Sequence, residues 1–269
     1  MFVFIIPRVP IKMRNSLRDE LWEISKKSLL NQTSKNWKAI IIGDTKQENL
    51  NSEYFITLKF DDYSKHDKIK LALDFLKQNQ SFQAEYLIRF DDDDIFSEKI
   101  LNDIERLPQK YDCYYDEYHV YLDSVYLKLS YKKNSWIPNT AIHKYEHAIT
   151  PCGKDNIQLL MQSHNEYWHI YYQNKNVFKT QKDNPLYFRN LTPFSLTSYN
   201  SNLKGKIDWG THLKYLKGYG PWINLSKKYF FYYDLKKISN QYFKTKLYLS
   251  KSYWFYNWLK FIKKNIFFI

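Results

Sequence analysis

Tyr86-Leu87-Ile88-Arg89-Phe90-Asp91-Asp92-Asp93-Asp94 is an apolar, strand-like run that opens directly onto four consecutive carboxylates. Aspartate is a poor strand former and adjacent carboxylates repel, so a chain has little reason to place four of them at the mouth of a buried strand. A divalent cation relieves that repulsion, because carboxylate oxygens are the ligands Mg²⁺ and Mn²⁺ prefer. Extended backbone sets Asp91 and Asp93 on one face and Asp92 and Asp94 on the other. Asp91 and Asp93 are therefore the candidate metal ligands. A solvated acidic turn is the plainer alternative; the hydrophobic strand in front favours the metal.

Upstream, strands and helices alternate. Phe2–Ile6, ended by Pro7, and Ala39–Ile42, stopped by Gly43-Asp44, read as buried strands, and residues 54–58 as a third. Residues 16–32 and 68–79 carry apolar residues at helical spacing. Ser97 reads as the N-cap of a helix with Ile100, Leu101, Ile104 and Leu107 along one face. This alternation predicts an α/β fold with a mostly parallel sheet flanked by helices. Ligands of open α/β sheets bind beyond the carboxyl ends of the strands, where Pro7-Arg8, Gly43-Asp44 and the four aspartates would converge. Pro7, Arg8, Asp44, Arg89, Asp91 and Asp92 are the candidate ligand-binding residues at that rim. Arg8 and Arg89 can pair with phosphate as bidentate donors, or with nearby aspartates instead; Asp44 is equally a plain turn residue.

The 269 residues, 44% hydrophobic and 19% aromatic, suffice for one large domain, and six Gly with eight Pro argue against disorder or a fibrous repeat. Two cysteines make no disulfide scaffold, no signal peptide is visible, and no stretch approaches the ~20 apolar residues of a membrane span. The expected location is the cytoplasm. A net charge of +13 calls for an anionic partner, although an AT-rich genome would enrich lysine as well. The excess is concentrated in residues 226–269, with ten lysines and one acidic residue, Asp234.

Two elements in order resemble the GT-A-fold family 2 glycosyltransferases. One is Ser28-Leu29-Leu30-Asn31-Gln32-Thr33 with Asn36-Trp37-Lys38-Ala39-Ile40-Ile41-Ile42-Gly43-Asp44; the other is Glu85–Asp94, which is similar to that family's strand ending in Asp-x-Asp. The resemblance covers residues 2–107. It implies a GT-A-type fold, Asp44 on the nucleotide base, Asp91 near ribose or metal, and Asp93 as principal ligand of Mn²⁺ or Mg²⁺. The activity implied is transfer of a sugar from a nucleotide-sugar to a hydroxyl of a bacterial surface glycan or lipid-linked glycan. Arg89-Phe90-Asp91 is also similar to a rhamnosyltransferase subgroup. Gly43-Asp44-Thr45-Lys46 replaces the family's Asp-Asp-Gly-Ser, and Pro7-Arg8-Val9-Pro10 replaces its Pro-x-x-Asn, which leaves the nucleotide open.

Such transfer needs a base for the acceptor's proton. Asp155 and Glu146 are the catalytic candidates, with Asp155 equally readable as the cap of a helix over residues 155–163. His147, His164 and His212 are candidates to complete a metal site, and Trp209 for stacking on a sugar ring. Residues 111–131 read as a hairpin or edge strands, 136–142 as another strand, and 174–220 as loop. The expected organisation is residues 1–225 as the transferase domain, divided into a donor half (1–110) and an acceptor half (111–225). Residues 226–269 follow as a basic aromatic extension. Within it, 251–269 reads as an amphipathic helix, suited either to an anionic membrane surface or to the domain core.

Two other classes compete. Asp91-Asp92-Asp93-Asp94-Ile95 superficially resembles the nucleophile motif of haloacid-dehalogenase-like phosphatases, but that motif follows the first strand of its domain. A basic module binding nucleic acid or membrane explains the charge and leaves the aspartates unexplained, so no nucleic-acid partner is expected.

Overall fold

The computed structural model describes residues 1–44, 53–60, 64–79, 82–133, 135–153, 155–194 and 208–243. Thr45, Lys46 and the predicted helix at 251–269 lie outside them. In chain order the elements are β1 (Phe2–Pro7), α1 (Ser16–Leu30), β2 (Trp37–Ile42), β3 (Phe55–Leu58), α2 (Lys65–Gln78), β4 (Tyr86–Arg89), β5 (Ile95–Phe96), α3 (Ile100–Glu105), β6 (Cys113–Asp116), β7 (Tyr118–Asp123) and β8 (Lys128–Lys133). There follow β9 (Ile142–Lys144), α4 (Tyr145–Ala148), β10 (Pro151–Cys152), β11 (Ile157–Gln158), α5 (His169–Tyr171), β12 (Val177–Thr180), β13 (Tyr187–Leu191), α6 (Trp209–Tyr219), β14 (Ile223–Asn224) and α7 (Tyr232–Tyr242).

The larger sheet has the order β12-β6-β9-β4-β1-β2-β3, with β4, β1, β2 and β3 parallel and β9 antiparallel to both of its neighbours. Its central strands are buried on both faces, which is why they read as continuous apolar runs. Phe4, Ile6 and Trp37 pack with Trp22 and Leu29 of α1 on one face, and Val3, Ile5 and Ile40 with Ile69, Ala72 and Leu73 of α2 on the other. The result is α/β, a mostly parallel sheet between helices. A second sheet, β14-β8-β7-β13-β5, packs beside it. The four aspartates are the crossover between the two: β4 belongs to the first sheet, and β5, immediately after Asp94, to the second.

The second half departs from expectation. Residues 111–131 hold the β7–β8 hairpin, but β6 leaves it to join the larger sheet. The strand expected at 136–142 forms only at Ile142–Lys144, and a β10–β11 hairpin replaces the helix expected at Asp155. Residues 174–220 contain β12, β13 and α6. Helix α3 starts at Ile100, not behind Ser97, whose hydroxyl instead donates to the Pro185 carbonyl. Residues 226–243 are built into the core, with Phe231, Leu235, Ile238 and Phe243 buried alongside Leu17, Leu21 and Ile24 of α1.

The Gln32 amide donates to the Ser28 and Ser97 carbonyls, Thr33 N–H donates to the Glu98 carbonyl, and the Ser28 hydroxyl accepts from Phe96 N–H. The first of the two sequence elements that suggested the family is thus bonded to residues 96–98, directly after the second, and braces the chain just past its aspartates.

Gly43, just past β2, leaves no room for a side chain, since a Cβ there would lie 2.8 Å from Cβ of Arg8. Gly43→Ala is expected to cost about 1–3 kcal/mol, read by urea unfolding; an unchanged midpoint would contradict this close approach.

Candidate functional site

The four aspartates form a turn, Asp94 N–H donating to the Asp91 carbonyl at 3.2 Å, not an extended run. The turn still separates them in the pairs that alternation predicted. Asp92 and Asp94 are 1% and 4% exposed, whereas Asp91 and Asp93 are partly open.

Asp92 is held from three sides. One oxygen accepts from Arg8 Nη1 at 3.0 Å and from Val9 N–H at 3.2 Å, and the other accepts from Arg18 Nη2. Burial works against its ionisation, but Arg18, Arg8 and the Val9 amide outweigh it and keep the carboxyl below its usual range. Arg8 is buried, lies over Trp22 with its guanidinium 4.5 Å from the ring centroid, and is committed to Asp92. Both residues also line the main cavity. Of the two roles open to Arg8, the ion pair is the one observed, and Asp92 is its anchor. Arg18, on the first turn of α1, also donates to Asp93 at 2.6 Å; its own N–H is capped by Asn15 Oδ1.

Asp94 accepts from Asn190 N–H of β13 at 2.9 Å, fastening the turn to the second sheet. Burial, with Asp93 and Asp91 adding repulsion, raises its carboxyl well above the usual range. Asp91 pairs with Lys65; burial opposes ionisation, but Lys65, Arg89 and Arg18 draw it down to about 2. Asp93 goes the other way: burial and the charges of Asp92 and Asp91 push it up to about 6, against the pull of Arg18.

Asp91 and Asp93 border a cavity of about 380 Å³ at the carboxyl end of β1, lined also by Pro7, Arg8, Arg18, Lys65, His66 and Arg189. A second chamber of about 300 Å³ shares Lys65, His66, Asp91, Asp94 and Arg189 with it and continues along Arg89, Asn139, Gln162 and His164. Asp44 follows β2 on the same rim, with its carbonyl accepting from Arg14 Nη2 at 3.0 Å.

The Arg89 guanidinium is bonded within the protein. It is buried, donates to Asn139 Oδ1 and to the carbonyls of Leu160 and Gln162, and stacks on Trp168. Burial pulls its guanidinium down to about 10. Glu146 is also displaced: β9 runs antiparallel to β4 with Lys144 opposite Tyr86, so Glu146 falls at the far end of the sheet from the aspartates. There it pairs with Lys144 and, with His147 and Asp112, brings ligand atoms within 4.8 Å of one another. Asp155 is exposed in the β10–β11 turn and borders neither chamber. His212 is buried 3.2 Å from Asp123, and Trp209 packs on Phe243 and His212. The three histidines therefore do not converge; only His164 reaches the chambers. Lys65, Arg18 and Arg189 were missed because nothing local distinguishes them from other cations of a lysine-rich chain.

No protein-family model matches the chain, and no curated protein matches it. Among solved structures, S. aureus TarS 1–349 in complex with UDP-GlcNAc is 15% identical, with a TM-score of 0.49 over 75% of this chain and 62% of that one. S. aureus TarS 1–349 in a second structure is 13% identical, with a TM-score of 0.46 over 71% and 61%. A nucleoside-diphosphate-sugar pyrophosphorylase from Vibrio cholerae RC9 is 13% identical, with a TM-score of 0.37 over 71% of this chain and 91% of that one. The chain matches about three fifths of the length of those TarS chains.

Removing the Asp92 carboxylate takes a buried anionic partner from two buried guanidinium groups. Asp92→Ala is expected to lower stability by about 3–5 kcal/mol in urea unfolding, and a loss below about 1 kcal/mol would contradict the anchor role.

Asp93 supplies the pH dependence. Its folded-state pKa, about 6, lies above the usual 3.8, so ionising it opposes folding. The cost begins as pH rises past the unfolded value and is complete above the folded one. In metal-free buffer, Asp93→Asn is expected to be more stable than the native protein by about 1–2 kcal/mol at pH 8, with the advantage gone near pH 4. The opposite trend would contradict the strained carboxylate.

Proposed function

We propose that the chain is a GT-A-type glycosyltransferase that moves a sugar from a nucleotide-sugar onto a glycan hydroxyl, with Asp91 and Asp93 holding Mn²⁺ or Mg²⁺. The observation that carries this reading is the division of the tetrad. Asp92 and Asp94 are buried and bonded to the fold, while Asp91 and Asp93 are partly open at a chamber that Arg8, Arg18, Lys65, Lys68 and Arg189 also line. Asp93 fits a metal ligand because its raised pKa records a negative charge that Arg18 alone does not balance, and carboxylate oxygens suit either ion. When bound, the ion would offset the charge that develops on the departing diphosphate.

The protein's own groups do the rest. Lys65 and Arg18, each already on an aspartate at the chamber wall, can turn part of their hydrogen bonding to diphosphate oxygens. Arg189 on β13 adds a third cation where the two chambers meet. In this reading Asp44, which follows β2, contacts the base or ribose. The donor then occupies the larger chamber and the acceptor enters from the second. A phosphatase of the haloacid-dehalogenase kind is disfavoured because the tetrad follows the fourth strand and Asp92 is sealed by arginines. A cytoplasmic enzyme whose basic C-terminal segment meets an anionic membrane surface remains part of the proposal.

Thermal shift with UDP-, GDP- and dTDP-sugars, dTDP-rhamnose included, checks it. One nucleotide is expected to stabilise the protein only with Mn²⁺ or Mg²⁺, and Asp93→Asn to abolish that response. Equal stabilisation without metal, or no response to any nucleotide, would count against it.

A further inference from the structure

We infer that His164 is the catalytic base, its Nε2 accepting the proton of the acceptor hydroxyl in the second chamber. The inference rests on the sugar-transfer reading above and supplies the residue that Asp155 and Glu146 do not.

His164 opens a π-helical turn, His164–Trp168, a distortion that recurs at functional sites. Its Nδ1 lies 3.1 Å from the Ile137 carbonyl. A carbonyl can only accept, so Nδ1 carries the proton and the lone pair of the neutral ring is on Nε2. The ring borders the chamber that Asp91 and Asp94 also line. The segment carrying it is fixed from behind: Arg89 donates to the Leu160 and Gln162 carbonyls just before it and to Asn139 two residues after Ile137. Arg89 is thus a positioning residue for His164.

Other groups at the chambers are less suited. Asp91 is paired with Lys65, Asp93 with Arg18, and Asp94 holds Asn190 N–H. His66 is half-exposed and turned to its neighbour Asp67 at 3.5 Å. Burial, then Arg89, Arg189 and Lys65, pull the His164 ring down to about 3, against the Ile137 carbonyl. The resting ring is therefore neutral and able to accept. These cations face the chambers, so a bound diphosphate offsets their field and makes the ring more basic during transfer.

In the step proposed, the acceptor oxygen bonds to the anomeric carbon as its proton passes to Nε2. The bond from that carbon to the diphosphate oxygen breaks with its electron pair, leaving as nucleoside diphosphate. The imidazolium then returns its proton to water.

His164→Asn keeps a donor near the position of Nδ1 and removes the Nε2 lone pair. Using the nucleotide-sugar that the native protein turns over, kcat for release of nucleoside diphosphate should fall about 100-fold or more. The thermal shift with UDP, GDP or dTDP and Mn²⁺ should persist, and imidazole should partly restore His164→Gly. A fall of less than threefold overturns the base and leaves the sugar-transfer reading standing. Whether or not the variants fold, ring-nitrogen NMR of the ¹⁵N-histidine-labelled native protein should place the His164 proton on Nδ1; a proton on Nε2 overturns it. A native protein that binds no nucleotide overturns the sugar-transfer reading, and the base with it.

Discussion

The Asp92 carboxylate, enclosed by Arg8, Arg18 and the Val9 amide, is the constraint on which the site depends. A buried carboxylate is tolerated only when paired, and buried guanidinium groups likewise. Each group here licenses the others. Their mutual bonding joins the end of β1, the first turn of α1 and the turn after β4 at one point. Because Asp92 must face inward, the neighbouring positions in the turn face outward, and Asp94 crosses to β13. The chain can then leave one sheet and enter the other without stranding a charge.

From this follows a division of labour among four chemically identical side chains. Environment separates them: the arginines draw the Asp92 carboxyl below its usual range, burial pushes that of Asp94 above it, and the two partly open ones are drawn in opposite directions by their surroundings. A second cation set has the same logic. Arg89 is bonded to Asn139 and to main-chain carbonyls, Arg8 and Arg18 share the buried Asp92, and Arg18 and Lys65 also reach Asp93 and Asp91 at the cavity wall.

Much of the first half was legible because its strands are buried on both faces and its helices amphipathic, so each element declares itself locally. The pairing of Asp91 with Asp93 was legible too, although the backbone that produces it is a turn. Arg89 was not, because its partners are main-chain carbonyls of residues 160 and 162, which acquire meaning only once β9 is known to lie beside β4. The same antiparallel pairing carries Glu146 away from the site. Residues 174–220 read as loop because tyrosine, lysine and asparagine obscure the alternation of β12 and β13, whose partners are more than 60 residues distant. His164 was legible only as a candidate to complete a metal site, because its place at the chamber depends on Arg89 and Ile137, which are distant in sequence.

The most direct test is crystallographic: Mn²⁺ anomalous scattering from crystals of the protein grown with Mn²⁺ and the nucleoside diphosphate that stabilises it. The account predicts one strong peak within coordination distance of carboxylate oxygens of Asp91 and Asp93, with the diphosphate against Lys65 and Arg18. An ion bound at Asp112, Glu146 and His147 instead, with none at Asp91 and Asp93, would contradict it.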